Sequence, residues 1–168
     1  ERRFSDLTSM HRAAADAVAA RMARTTPAEA ARRFDEYFPL KPDGTRRTRD
    51  AAYDGMFEPD GDFVHGMGGF IANGRNVSVQ DKAMFAAAFK VVAHTGEIVH
   101  REYDNFYFFT PNNRMVMFGP DRPDRLLFYR RDAPADLDIR KEQMVELTLP
   151  AANPDRRTRC TSLQRLIQ

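Results

Sequence analysis

The stretch Phe106-Tyr107-Phe108-Phe109-Thr110-Pro111-Asn112-Asn113-Arg114-Met115-Val116-Met117-Phe118 decides the fold. Aromatic and β-branched residues suit a pleated, half-buried surface, so 105–110 and 114–118 read as strands. Pro111 presets φ for the first position of a turn, and asparagine tolerates the left-handed region that a tight turn needs. The segment is therefore an antiparallel hairpin. Side chains alternate along a strand, so Asn105, Tyr107 and Phe109 share one face, while Phe106 and Phe108 share the other. One face is expected to be core under helices and the other to line a pocket. No residue of the hairpin is an obvious catalyst, which directs the reading toward sensing or binding.

Upstream, Phe4 to Arg24 reads as one helix. Phe4, Leu7, His11, Ala14 and Val18 recur at spacings of three and four, the stripe of a helix that packs along another. Thr26-Pro27-Ala28-Glu29 then supplies a cap, a first-turn proline and a capping-box glutamate, which open a second helix to about Tyr37. Residues 41–62 are polar and broken by Gly44, Gly55, Pro59 and Gly61. Phe63 to Ala72 is a strand candidate interrupted by Gly66, Gly68 and Gly69, where glycine signals a bulge or a close backbone approach. Ser78 with Asp81 opens a helix to about His94 that buries Phe85, Ala88, Phe89 and Val92. Downstream of the hairpin, Leu126 to Tyr129 reads as a brief strand or turn. Asp136 to Leu147 and Ser162 to Gln168 read as helices.

The chain has 168 residues, enough for one core. A net charge of +2 gives no argument for nucleic acid, and the arginine excess reads as codon usage. No apolar run reaches the roughly 18 residues that span a bilayer. The chain opens directly into helix at Glu1, so it reads as a segment excised from a longer protein. The single cysteine, Cys160, permits no internal disulfide.

Catalytic patterns are missing from the sequence. The four histidines, His11, His65, His94 and His100, show no metal-ligand spacing, although His94 and His100 lie close enough in sequence to approach one another. Asp60-Gly61-Asp62 lacks the further ligands of a calcium loop and reads as a turn. Gly66-Met67-Gly68-Gly69 lacks the Gly-Lys-Ser/Thr ending of a phosphate loop. Cys160 sits among arginines but has no histidine beside it. No catalytic residue, metal or cofactor is expected. Arg130-Arg131-Asp132 after Tyr129 carries two readings. Its guanidinium groups grip a ligand carboxylate in bidentate fashion, or they pair structurally with Asp132 or Asp136. On the first reading, Asn105, Tyr107, Tyr129 and Arg131 form a binding site for a small, anionic molecule.

A long N-terminal helix, the aromatic hairpin and the Leu127-Phe128-Tyr129-Arg130-Arg131-Asp132 stretch together resemble the Cache-type, PAS-like extracytoplasmic sensor domains of bacterial membrane receptors. The likeness covers residues 50–145 most strongly and is to domains found ahead of diguanylate cyclase or histidine kinase modules. It implies an α+β fold: a long N-terminal helix, then an antiparallel sheet flanked by helices. Residues 1–38 would form a helical stalk region and 39–168 the sensor domain. It also implies a periplasmic domain of an inner-membrane protein, with the catalytic output elsewhere in the parent. Two features depart from the family: the chain has no tryptophan, where the family often carries an Arg-x-Trp motif, and no C-terminal strands are evident by Gln168.

The expected function is ligand sensing by a membrane-anchored signalling protein. Its homodimer would use an exposed stripe of Phe4, Leu7, Ala14 and Val18, and ligand state would pass through the N-terminal helix. The alternatives are a small soluble enzyme with a PAS-like pocket and an Asp or His general base, or a dimerisation module that binds nothing.

Overall fold

The computed structural model describes residues 2–123, 126 and 128–139, with side chains from Ser5 onward. The expected helices at 136–147 and 162–168 lie, apart from residues 136–139, outside the described residues. The fold is α+β: long N-terminal helices, then a four-stranded antiparallel sheet packed against a central helix.

Helix α1 spans Arg2–Arg24 and α2 spans Pro27–Tyr37. Thr26 caps α2 through its hydroxyl, which accepts from the Glu29 amide at 3.3 Å. Such a cap contributes about 1 kcal/mol. Helix α4 spans Val79–Val99, and the Ser78 hydroxyl accepts from the Asp81 amide at its start. Between α2 and α4 lie strand β1 (Arg46–Arg47), the short helix α3 (Ala51–Asp54), strands β2 (Met56–Phe57) and β3 (Phe63–Val64), and strand β4 (Met67–Ile71). The aromatic hairpin follows α4 as β5 (Phe106–Thr110) and β6 (Arg114–Phe118).

The sheet order is β1-β4-β6-β5, and β2 pairs with β3 in a separate two-stranded ribbon. Within the hairpin Phe106 faces Phe118 and Thr110 faces Arg114, closed by Asn113 at φ +65°. The alternation is as read from sequence. Phe106 and Phe108 join the core under α4, and Tyr107 lies with the opposite cluster.

Two cores therefore sandwich one sheet. On the first face, Phe34, Phe38, Phe85, Phe89, Met67, Val116 and Phe118 pack between the sheet and α1, α2 and α4. Each wholly buried phenylalanine contributes roughly 1.5–3 kcal/mol. On the second face, Phe70, Met115, Met117, Leu126, Tyr129, Ala133, Leu137 and Ile139 form a smaller core. Asn113 ties this cover down: its side chain donates to the Leu137 carbonyl and accepts from the Ile139 amide at 2.7 Å. The stretch read as a brief strand or turn runs into a π-helical turn over Phe128–Asp132.

The glycines of β4 serve close approach. A Cβ on Gly68 would stand 2.4 Å from Leu126 Cδ2, so glycine there lets Leu126 of the second cover settle close to the sheet. Gly96 plays the same part for α4, where a Cβ would meet the Phe118 ring at 2.4 Å.

The expected exposed stripe on α1 is corrected by this packing. Leu7 and Val18 are buried, and Met10, Ala14, Ala17 and Met22 pack against the first core, because α1 lies along α4 of its own domain. A helix stripe must bury itself against some apolar surface, and α4 supplies that surface without a second copy. His11 lies at the surface with its ring stacked on Phe106 at 5.9 Å, and burial lowers its pKa. Among the described residues, no helix is long and apolar enough to cross a membrane.

Candidate functional site

The four residues expected to form a site are placed as follows. Tyr107 and Tyr129 share the second face of the sheet, Tyr129 fully buried and Tyr107 at the margin. Asn105 is half-buried just before β5. Arg131 turns outward to Asp50, onto whose Oδ2 it donates. Arg130 is buried, stacks over the Tyr53 ring at 4.8 Å and reaches Asp50 Oδ1 at 3.3 Å. The partner of the two arginines is thus Asp50, at the start of α3, rather than Asp132 or Asp136. Asp50's carboxyl is lowered by the hydrogen bond from Arg131, against a smaller upward push from burial. One carboxylate compensates the fork that an anionic ligand would need.

The chemistry-bearing groups that do converge lie on the first face, where the β2–β3 ribbon meets α4. The turn Glu58-Pro59-Asp60-Gly61-Asp62 closes the ribbon through the Glu58 amide, which donates to the Asp62 carbonyl at 2.8 Å, with Gly61 at φ +87°. Three carboxylates then point at one amine. Lys90 Nζ donates to Glu58 Oε2, to Asp60 Oδ2 at 3.0 Å and to Asp62 Oδ2 at 2.7 Å. Lys90 comes from the middle of α4, among Phe85, Phe89 and Val92, and is itself buried.

The electrostatics follow from the geometry. Burial pulls the Lys90 ammonium down, but its hydrogen bonds to Asp62, Glu58 and Asp60 outweigh that and raise its pKa. Burial pushes Asp60 up, and the hydrogen bonds from Lys90 and the Asp62 amide outweigh that and lower it. Among the described residues, no donor reaches Glu58 Oε1 with hydrogen-bond geometry. The Tyr37 phenol, from α2, is raised above the ordinary tyrosine range, first by burial and then by Glu58. Among the described residues, Glu58, Asp60 and Asp62 are the one group whose carboxylates lie close enough together to hold a metal ion. The Lys90 ammonium already stands where such a cation would sit, and a charged ammonium and a cation cannot share that point.

Beside this clamp opens a cleft of about 300 Å³, lined by Asp62, Phe63, His65, Lys90, His94 and Glu97, with Phe118 behind them. His65 Nε2 lies 2.7 Å from Glu97 Oε2, which fixes the imidazole. Phe63 stacks on His65 at 5.8 Å and meets Phe57 at a tilt at 5.1 Å, and both phenylalanines are largely exposed. His94 lines the cleft, and His100, at the end of α4, packs edge-on to Phe118 with Nδ1 on the Glu97 carbonyl.

Sequence reasoning found the Asp60-Gly61-Asp62 turn but missed its partner. The signal was Lys90 itself, a lone cation inside the apolar run Phe85 to Ala93. A lysine there must find a counter-charge or neutralise. Comparison of the chain with protein-family models, with curated proteins and with solved structures finds no match.

Proposed function

We propose that this chain is the ligand-sensing domain of a membrane-anchored signalling protein, extracytoplasmic in setting, and that its ligand enters the cleft between the β2–β3 ribbon and α4. The observation that carries the reading is the position of that cleft. Its wall is α4, which presents Lys90, His94 and Glu97 to the opening and packs against α1, α2, β5 and β6. A ligand that prefers one placement of α4 therefore biases the placement of α1, by its difference in affinity for the two. A volume of about 300 Å³ is at the lower end of small-molecule sites. The sensor setting is supported by the resemblance of the aromatic hairpin and its flanking elements. The cleft is preferred to the face of Tyr107 and Tyr129 because Arg131 there already holds Asp50.

Thermal melts against a metabolite library test the reading, since a ligand that binds only the folded state raises its stability. A hit whose shift disappears in Glu97→Gln supports the cleft. Hits unaffected by cleft substitutions and abolished by Tyr107→Phe contradict it. Hydrophobic spans flanking this segment in the full-length protein support the membrane anchor; their absence refutes it.

A second reading rests on the His65–Glu97 pair. A carboxylate that orients an imidazole at the mouth of a cleft is the arrangement of a general base and its positioning partner. Turnover of a bound molecule, lost in His65→Gln with binding retained, would select an enzyme over a sensor.

A further inference from the structure

We infer that the ligand of the cleft is a small organic amine, held as its ammonium ion. This rests on the reading of the cleft as the sensory site and names the chemistry it selects.

The first ground is charge. Asp62 and Glu97 line the opening, and Glu58 and Asp60 share the single ammonium of Lys90 with Asp62. Lys90 is fully engaged and donates to three of them, so it offers no free cation to an anionic ligand. Three carboxylates share one ammonium, so acid exceeds base at this end of the cleft. Arg33 of α2 makes its ion pair with Glu29 at 2.8 Å and acts on Asp60 through its field. A cleft lined by one sign of charge focuses that field and concentrates the opposite ion.

The second ground is the aromatic wall. Phe63 is 55% exposed yet held in place. The tip of its ring lies against Gly55, where a Cβ would stand 2.8 Å from Phe63 Cζ, and it contacts Phe57 and His65. An aromatic face beside carboxylates is the recognition chemistry of an alkylammonium ion, which is attracted by the ring quadrupole and paired by the acid. A hard metal ion gains nothing from a phenyl ring and needs six or more oxygens around a centre that Lys90 fills. An anion would face the carboxylates. An apolar molecule would leave them without a counter-charge.

The test is calorimetric titration of the domain at neutral pH. Putrescine and tetramethylammonium are the amine probes, and succinate and inorganic phosphate the anionic ones. The proteins are wild type, Phe63→Leu, Glu97→Gln and, on the opposite sheet face, Arg131→Ala. Phe63 and Glu97 are exposed, so both cleft variants keep the fold. The expected result is saturable binding of at least one amine and of neither anion. That binding weakens about two- to thirtyfold in Phe63→Leu, the range of a cation–π contact. It weakens severalfold in Glu97→Gln and with added salt, and is unchanged in Arg131→Ala. Anion binding that depends on Phe63 or Glu97, without amine binding, overturns the amine and keeps the sensory cleft. Amine binding indifferent to Phe63 and Glu97 overturns the inference as well. No binding of any probe at millimolar concentration overturns the amine, and a library screen that also finds no cleft ligand then overturns the sensory cleft.

Discussion

Replacing Lys90 by methionine removes one positive charge from a site that holds three carboxylates, and the cost can be worked from their exposure. The Asp60 and Asp62 side chains are 41% and 60% exposed, so water and salt screen them and their loss of a partner contributes little. The Glu58 side chain is 2% exposed. With Lys90 gone it becomes a buried carboxylate without a counter-charge, and breaking such a pair from one side typically costs about 3–5 kcal/mol. At roughly 2–4 °C per kcal/mol for a domain of this size, Lys90→Met lowers the melting temperature by about 6–20 °C. Urea unfolding followed by circular dichroism at neutral pH measures the loss directly. Lys90→Met with Glu58→Gln should recover more than half of it, because a neutral amide tolerates burial far better than a charge. A loss below about 1 kcal/mol in the single variant would refute the clamp. So would a double variant no better than the single one.

The same cluster sets a pH dependence whose sign is fixed by the shifts. Lys90's pKa is raised by the fold, so its stabilisation is complete below the ordinary lysine value of 10.5 and is lost as pH climbs through the raised value. Asp60's is lowered, so its share is present above the ordinary value of 3.8 and is lost as pH falls through the lowered one. The clamp is therefore flat across neutral pH. Lys90→Met should remove both limbs of the profile that belong to this cluster.

Gly96→Ala should destabilise by about 1–3 kcal/mol in thermal melts, since overpacking against Phe118 exceeds the gain of about 1 kcal/mol in helix propensity. Arg131→Ala should leave the melting temperature and the affinity of a cleft ligand nearly unchanged, because its ion pair with Asp50 is exposed; lost ligand affinity would return the site to the face of Tyr107. His11 has a lowered pKa, so the unfolded chain takes up the proton more readily and stability should fall as pH drops below 6.5. That slope should flatten in His11→Phe, read from melts in neutral and mildly acidic buffer. For the proposed homodimer, sedimentation of Leu7→Ala should show a less stable protein with unchanged self-association, since Leu7 is buried inside its own domain.

The elements legible in the sequence were those whose signals are local. The hairpin announced itself through alternation and the Pro111-Asn112-Asn113 turn. Helices α2 and α4 carried their caps at Thr26 and Ser78. Elements made of two residues, such as β1, β2 and β3, are too short to leave a periodic trace, and β3 lines one wall of the cleft. Pairings across long stretches of chain were hidden for a different reason. Lys90 meets Glu58 32 residues away, and Arg131 meets Asp50 81 residues away. No spacing rule reaches that far. The stripe on α1 was read correctly as apolar but assigned to the wrong neighbour, because a period of three and four is the same whether the covering helix belongs to another copy or to α4.

The central claim, that this domain binds a small molecule between the β2–β3 ribbon and α4, is tested most directly by amide chemical-shift mapping of the isotope-labelled domain during titration with a library hit or with putrescine. The account predicts saturable shifts confined first to residues 62–65 and 90–97, followed by smaller shifts along α1 where it lies on α4. Shifts centred on Tyr107, Tyr129 and Asp50, with the cleft silent, would contradict it.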